Sequence, residues 1–143
     1  MDPPGPTPLE CVFTMARVLV VDDSPLLVEL VAQALSAEGI QTEKAIDLAT
    51  LDQRLAAEPF DLILVDINMP EMFGDDVVEF LKSQRKTKAQ LILYSDMAEA
   101  ELAARVGTSG ADGYLLKAWG IERCVQEVRK RLVQPPAAPK PRL

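Results

Sequence analysis

Histidine is absent from the 143 residues, and cysteine occurs only twice. Without an imidazole, the chain has no histidine base, no histidine metal ligand and no phosphohistidine of its own. Cys11 and Cys124 are far apart and lack CxxC spacing, which favours a reduced protein over a disulfide framework. Acid–base or phosphate chemistry must therefore use Asp, Glu, Lys, Ser or Tyr.

Long apolar runs and an excess of positive charge are also missing. No stretch approaches the ~18 consecutive apolar residues of a membrane span, and the N-terminal residues lack the basic and apolar regions of a secretory signal. The formal net charge of −7 disfavours attraction to nucleic-acid phosphates or anionic membranes. We therefore expect a cytoplasmic chain that by itself binds neither nucleic acid nor membrane.

Proline is abundant only near the two ends of the chain. Eight of the 11 prolines lie within residues 1–15 and 134–143, and such segments favour extended, solvated backbone. We therefore predict a proline-rich disordered head over 1–15, one folded domain over 16–133 and a proline-rich disordered tail over 134–143.

Five short apolar runs lie between these ends, and a helical pattern follows each run. The runs are Arg17 to Val21, Ile40 to Ala45, Leu62 to Val65, Leu91 to Tyr94 and Gly113 to Leu116. Alternating strands and helices predict an α/β fold: a doubly wound, flavodoxin-like, five-stranded parallel sheet in the order 2-1-3-4-5, with five helices. A ligand then belongs at the carboxyl ends of the strands, beside strands 1 and 3.

Polar residues follow the predicted strands at these carboxyl ends. They are Asp22, Asp23, Asp66, Ser95 and Lys117. Loop residues and helix caps are commonly polar, which explains one aspartate but not the combination. Three converging carboxylates repel one another unless a cation compensates, and an all-oxygen set suits Mg²⁺. The Lys117 ammonium and the Ser95 hydroxyl would lie on the far side of this pocket and neutralise phosphoryl oxygens. Asp66 is therefore predicted to be a nucleophile that forms an aspartyl-phosphate.

Four motifs resemble those of the CheY-like receiver domains of two-component response regulators. They are VLVVDDSP (Val18 to Pro25), LILVDINMPEMFG (Leu62 to Gly74), LILYSD (Leu91 to Asp96) and GYLLK (Gly113 to Lys117). The resemblance implies that Asp66 accepts a phosphoryl group from a histidine kinase or phosphotransfer protein. It implies a signalling domain and not an enzyme, apart from self-catalysed phosphorylation and dephosphorylation.

The resemblance also implies roles for the other site residues. Asp23, Asp66 and the backbone carbonyl of Asn68 would ligate Mg²⁺ directly, with Asp22 acting mostly through water. Ser95 and Tyr114 match the family's switch pair, and Lys117 would pair with a phosphoryl oxygen. The surface formed by the fourth helix, fifth strand and fifth helix would then bind a downstream target protein or a second copy in a homodimer. No residue is assigned to another cofactor.

Two positions depart from the family pattern. Asp96 replaces a small residue, and Lys117-Ala118 replaces a Lys-Pro pair with a cis bond. A carboxylate within about 6 Å of the phosphoryl group would repel it, at a cost of about 3 kcal/mol per unit charge at an effective dielectric near 20. Alternatively, Asp96 points to solvent as the cap of a helix starting at Ala98. We expect a trans Lys117–Ala118 bond and a more mobile lysine, and regard Asp96, Met97 and Ala118 as candidate modulators.

Two functions remain as hypotheses at this point. The first is a single-domain phosphorylation switch that acts by binding. The second is a pseudo-receiver, a constitutive interaction module whose phosphorylation is impaired by Asp96 and the Lys117-Ala118 loop. Retention of all the site residues favours the switch. A haloacid-dehalogenase-type phosphatase is disfavoured, because Asp66-Ile67-Asn68 lacks the second carboxylate for acid–base work.

Overall fold

Strands and helices alternate through the folded part of the chain. The computed structural model describes residues 16–69, 74–83 and 88–133. The head and tail predicted from proline content lie outside these residues. The strands are β1 (Arg17–Val21), β2 (Gln41–Ala45), β3 (Leu62–Asp66), β4 (Gln90–Ser95) and β5 (Gly113–Leu116). The helices are α1 (Pro25–Ala37), α2 (Leu48–Ala57), α3 (Gly74–Ser83), α4 (Glu99–Ser109) and α5 (Ile121–Val133), with a short 3₁₀ helix (Lys117–Trp119) before α5.

Each predicted strand and helix is confirmed, with small shifts at the boundaries. β2 begins at Gln41 and not at Ile40. α4 begins at Glu99 and continues to Ser109, where Gly110 adopts a φ of 85° that only glycine tolerates without strain. α1 begins at Pro25, because Ser24 accepts a hydrogen bond from the Leu27 N–H and proline occupies the first turn.

All five strands are parallel, in the order β2-β1-β3-β4-β5. This is the order predicted from the sequence. In register, Val21 of β1 pairs with Val65 of β3, and Asp66 of β3 pairs with Tyr94 of β4. The chain turns to opposite sides of β1 to form β2 and β3, so a crevice opens at the carboxyl ends of β1 and β3.

The two faces of the sheet form two apolar layers. One layer joins alternate strand residues to α1 and α5, and the other joins the intervening residues to α2, α3 and α4. Val20, Leu64 and Tyr94 belong to the first layer, whereas Leu19 and Ile63 belong to the second. Because β1, β3 and β4 are covered on both faces, their sequences are nearly continuous Val, Ile and Leu. No helix within the described residues is both long and apolar enough to cross a bilayer.

Candidate functional site

Three carboxylates meet at the crevice between β1 and β3. Asp22 and Asp23 follow β1, and Asp66 is the last residue of β3. One oxygen from each of these side chains lies within 4.8 Å of the others. Asp22 and Asp66 are 1% and 3% exposed, whereas Asp23 is open to solvent. An all-oxygen set with one solvent-facing member fits a hard divalent cation that retains some of its water.

Backbone amides hold the two buried carboxylates in place. The Ser24 N–H donates to Asp22 Oδ1 at 2.9 Å, and the Asn68 N–H donates to Asp66 Oδ1 at 3.2 Å. Each bond reaches from the second residue after the aspartate, a local turn that Asp adopts readily. The sharp turn after each strand therefore fixes the carboxylate at the sheet edge.

Lys117 supplies positive charge from the far side of the sheet. Its Nζ lies 3.1 Å from Asp22 Oδ2 and 3.5 Å from Asp66 Oδ1. Burial alone would lower the pKa of Lys117, but the charges of Asp66 and Asp22 outweigh it and raise that pKa above its ordinary value. The lysine is therefore a protonated partner of both buried acids.

Asp66 is a carboxyl group with a strongly perturbed pKa. Burial and then the charge of Asp22 raise its pKa to about 6, against the opposing influence of the Asn68 N–H and Lys117. The positive charge of one lysine thus does not fully compensate the burial and mutual repulsion of two carboxylates. A perturbed carboxyl in a crevice, with a specific charge partner, is typical of a functional position.

The loop after β4 contributes Ser95, Asp96 and Met97. Ser95 is fully buried, and its Oγ accepts a hydrogen bond from the Met97 N–H at 3.2 Å. The Asp96 side chain is exposed. The N-cap of α4 is Ala98, which has no side-chain acceptor. The interpretation of Asp96 as the cap of this helix is therefore wrong, because the cap position falls two residues later, while solvent exposure of Asp96 is confirmed.

Tyr114 and the segment after Lys117 lie on the β5 side of the site. The Tyr114 hydroxyl donates to Glu99 Oε1 at 2.9 Å, and its ring lies 6.2 Å from that of Trp119. The hydrogen bond to Glu99 raises the pKa of Tyr114. The bond between Lys117 and Ala118 is trans, as expected, since the described residues contain no cis peptide.

Sequence reasoning did not single out Tyr94. It is the cross-strand partner of Asp66, and the Lys117 Nζ lies over its ring, 5.2 Å from the centroid. The available signal was a phenol that directly follows the aliphatic residues Leu91 to Leu93 and precedes Ser95. Its relation to Lys117 depends on which strand lies between β5 and β3, which the order of the sheet decides.

Comparisons with known proteins agree with this geometry. The family model described as "Response regulator receiver domain" matches residues 18–129. A probable transcriptional regulatory protein, TcrX of Mycobacterium tuberculosis, is 34% identical over 115 residues, covering 80% of this chain and 49% of TcrX. The response regulator protein PmrA of Pseudomonas aeruginosa is 31% identical over 115 residues, with 79% and 51% covered. The chain thus spans about half the length of these curated relatives.

Solved structures show the same likeness in three dimensions. The chemotaxis response regulator CheY4 of Vibrio cholerae superposes with a TM-score of 0.73 at 28% identity, covering 83% of this chain and 99% of CheY4. A CheY-like receiver domain protein from Methanospirillum hungatei gives a TM-score of 0.72 at 26% identity, covering 82% and 93%.

Fold and site together define a doubly wound α/β signalling domain with an acidic pocket at its topological switch point. The chain belongs to the response regulator receiver domain family. Receiver domains of two-component systems bind Mg²⁺ at an acidic pocket and interact with histidine kinases. They are signalling domains and not classical enzymes.

Proposed function

We propose that the chain is a phosphorylation switch in which Asp66 accepts a phosphoryl group from a histidine kinase or phosphotransfer protein. The observation that carries this proposal is the convergence on Asp66 of two further carboxylates and the Lys117 ammonium, with Nζ 3.5 Å from Asp66 Oδ1. A nucleophilic carboxylate with a cation on one side and a metal-binding set on the other suits phosphoryl transfer.

The transfer step is a displacement at phosphorus. A lone pair of Asp66 Oδ forms the new O–P bond as the bond from phosphorus to the donor's imidazole nitrogen breaks. That nitrogen keeps the electron pair and takes a proton from solvent. Lys117 pairs with a phosphoryl oxygen of the product, and the Ser95 hydroxyl, whose oxygen accepts from Met97 N–H, can still donate its own proton to another.

The metal ligands in this proposal are Asp23, Asp66 and the backbone carbonyl of Asn68, with Asp22 acting mostly through water. The mutual approach of the three carboxylates supports the assignment. Bound Mg²⁺ would supply positive charge that offsets both these acids and the phosphoryl oxygens. The hydrogen bonds that Asp22 accepts support an outer role for it, because the Ser24 N–H already engages its Oδ1 and Lys117 Nζ its Oδ2.

The switch itself couples Ser95 to Tyr114. When the Ser95 hydroxyl moves toward the phosphoryl group, the start of α4 shifts and the Tyr114 ring turns inward. That rotation requires loss of the bond from Tyr114 to Glu99 in the first turn of α4. The surface of α4, β5 and α5 would thereby differ between the two states and bind a target protein or a second copy of the chain.

The kinase or phosphotransfer partner docks beside α1 in this proposal. Leu26, 71% exposed, lies in the first turn of α1, which follows Asp23, and Leu30, 42% exposed, lies one turn later on the same helix face. Large exposed apolar side chains next to a reaction site support protein recognition there. Val28, in contrast, is buried in the core and contributes to folding.

Phosphorylation can be tested directly by intact mass. The protein is incubated with Mg²⁺ and acetyl phosphate, and then with a competent histidine kinase, beside an Asp66→Ala variant. A one-phosphoryl adduct on the parent chain that the variant lacks is the expected result. An Asp112→Ala variant, changed at the opposite edge of the sheet, is the matched control and should still form the adduct.

Absence of the adduct with both donors would overturn the phosphorylation switch in favour of the pseudo-receiver. Recovery of the adduct on changing Asp96 to Ala would then assign the block to that carboxylate. The contact between Lys117 and Asp66 already disfavours a block at the Lys117-Ala118 loop, because the lysine reaches the site with alanine following it.

A further inference from the structure

Tyr94 is an aromatic residue buried directly beneath the acidic pocket. It is 2% exposed, pairs with Asp66 across the strands, and belongs to the layer that packs against α1 and α5. The rest of β4 before Ser95 is Gln90 followed by aliphatic residues. Burying a phenol costs free energy unless its hydroxyl is hydrogen-bonded. We therefore expect the ring to have a role that an aliphatic side chain would not fill.

The path of the Lys117 side chain crosses this ring. Lys117 follows β5, whereas its partners Asp66 and Asp22 belong to β3 and to the end of β1. Because β4 lies between β5 and β3, the lysine must pass over the β4 residue that pairs with Asp66, which is Tyr94. The ammonium lies over that ring, with Nζ 5.2 Å from the centroid. This distance is within the range of a cation–π contact.

The Tyr94 ring lies in the apolar layer to which α5 contributes. The buried thiol of Cys124 on α5 belongs to the same apolar layer as Tyr94 and donates to the Leu116 carbonyl at 3.5 Å. Burial, followed by the neighbouring thiol, raises the pKa of Tyr94, which keeps the phenol neutral. Buried in this layer, the ring presents one face to the lysine.

We infer that Tyr94 is a positioning residue, whose ring holds the Lys117 ammonium over Asp66 and Asp22. Alanine follows Lys117, so no proline ring restricts the backbone on that side, and side-chain contacts carry more of the restraint. The consequence for phosphorylation rests on the proposed function, but the position of the lysine does not.

The contact itself is tested by NMR on the unphosphorylated protein with isotope-labelled lysine. Protons above an aromatic face shift upfield, so the Lys117 ε-methylene signal, identified by its loss in Lys117→Met, should be shifted upfield in the parent chain. Tyr94→Phe keeps the ring and should keep the shift. Tyr94→Leu should abolish it. Leu62→Ala, which opens a cavity in the same layer at the other end of β3, is the matched control and should keep it.

The effect on the reaction is measured with Mg²⁺ and acetyl phosphate on the parent chain and on Tyr94→Phe, Tyr94→Leu and Leu62→Ala. Loss of a cation–π contact should slow adduct formation about fivefold in Tyr94→Leu. Tyr94→Phe and Leu62→Ala should stay within about twofold of the parent rate, since neither removes the ring.

The results separate the inference from the proposed function. No upfield shift in the parent chain, or the same shift in Tyr94→Leu, would overturn the positioning role. Equal slowing in Tyr94→Leu and Leu62→Ala would overturn it too, because a cavity alone would then explain the rate. A parent chain that shows the shift but takes no phosphoryl group from any donor would refute the switch and leave the Tyr94–Lys117 contact established.

Discussion

Acidic side chains have different surroundings at the two edges of the sheet. At the amino edge, where the strands begin, acids have local partners: Asp61 accepts from the Arg17 N–H, and Asp112 accepts from the Leu91 N–H, each at 2.8 Å. Lys82 lies 3.8 Å from Asp112. At the carboxyl edge, three carboxylates approach one another and Lys117 contacts the two that are buried.

This difference indicates that the acids at one edge contribute to stability and those at the other to function. Acids at the amino edge complete backbone hydrogen bonding and stabilise the sheet. Acids at the carboxyl edge raise the energy of the folded, metal-free domain, which is typical of positions retained for function and not for stability. Removing an acid at the carboxyl edge should therefore raise stability and impair phosphorylation. Removing an acid at the amino edge should lower stability and leave phosphorylation unchanged.

The largest expected effect is on phosphorylation, from Lys117→Met at the carboxyl edge. Methionine keeps an unbranched apolar stem but removes the charge. Unit charges 4 Å apart at an effective dielectric near 20 interact by about 4 kcal/mol, and partial exposure of Lys117 reduces this to about 3 kcal/mol. Adduct formation with acetyl phosphate, followed by intact mass, should slow roughly a hundredfold. Lys130→Met, at an exposed ion pair on α5, should match the parent chain, and a parent-like rate in Lys117→Met would contradict the role of that lysine.

The next effect is a gain of stability from Asp66→Asn in metal-free buffer. The pKa of Asp66 rises from 3.8 to about 6 on folding, so the folded state binds the proton more tightly. Ionisation therefore costs stability as the pH rises from below 4 to above 6, and the cost is complete at pH 7. Removing it should raise the free energy of unfolding by about 2–3 kcal/mol.

Urea denaturation in EDTA at pH 7 and at pH 3.5 measures this gain. The difference between Asp66→Asn and the parent chain should be present at pH 7 and nearly vanish at pH 3.5, where the parent carboxyl is protonated in the folded state and mostly protonated in the unfolded state. Asp112→Asn, at the amino edge, is the matched control and should show no gain. A loss of stability in Asp66→Asn at pH 7 would reverse the interpretation of the carboxyl edge.

A smaller effect of opposite sign is expected from Asp112→Ala. The Leu91 N–H loses its acceptor at 2.8 Å, and Leu91 itself is buried. Loss of one such hydrogen bond should lower the free energy of unfolding by about 1–2 kcal/mol. Adduct formation should be unchanged, because this acid lies at the edge away from Asp66. A change in rate without a change in stability would show that the edges are not independent.

The smallest effect is expected from Asp96→Ala. The side chain is exposed, and unit charges about 4 Å apart interact by only about 1 kcal/mol in a water-like dielectric. Removing this charge should accelerate adduct formation by no more than about fivefold, with the gain decreasing as salt is added. A hundredfold acceleration would show that Asp96 approaches the phosphoryl group closely and would favour the pseudo-receiver for the unmodified chain.

Much of the fold and the acidic pocket could be predicted from local sequence. Continuous Val, Ile and Leu runs predict buried parallel strands, and the first helix begins where Ser24 and Pro25 indicate. Asp22, Asp23 and Asp66 follow two of those runs, so parallel strands bring them to one edge. The boundary of α4 differs slightly from the sequence expectation, because Ala98 is the cap residue and the helix itself begins at Glu99.

The sequence alone therefore determined the alternation of strands and helices and the identity of the polar residues at the carboxyl edge, because these depend on periodicity and on where each strand ends. Only the tertiary structure decided which side chains meet. That Lys117 reaches Asp22 across β4, that Tyr94 lies beneath it, and that Asp96 points to solvent depend on strand register and on the path of each loop. These relations join residues far apart in the chain, and no local pattern encodes them.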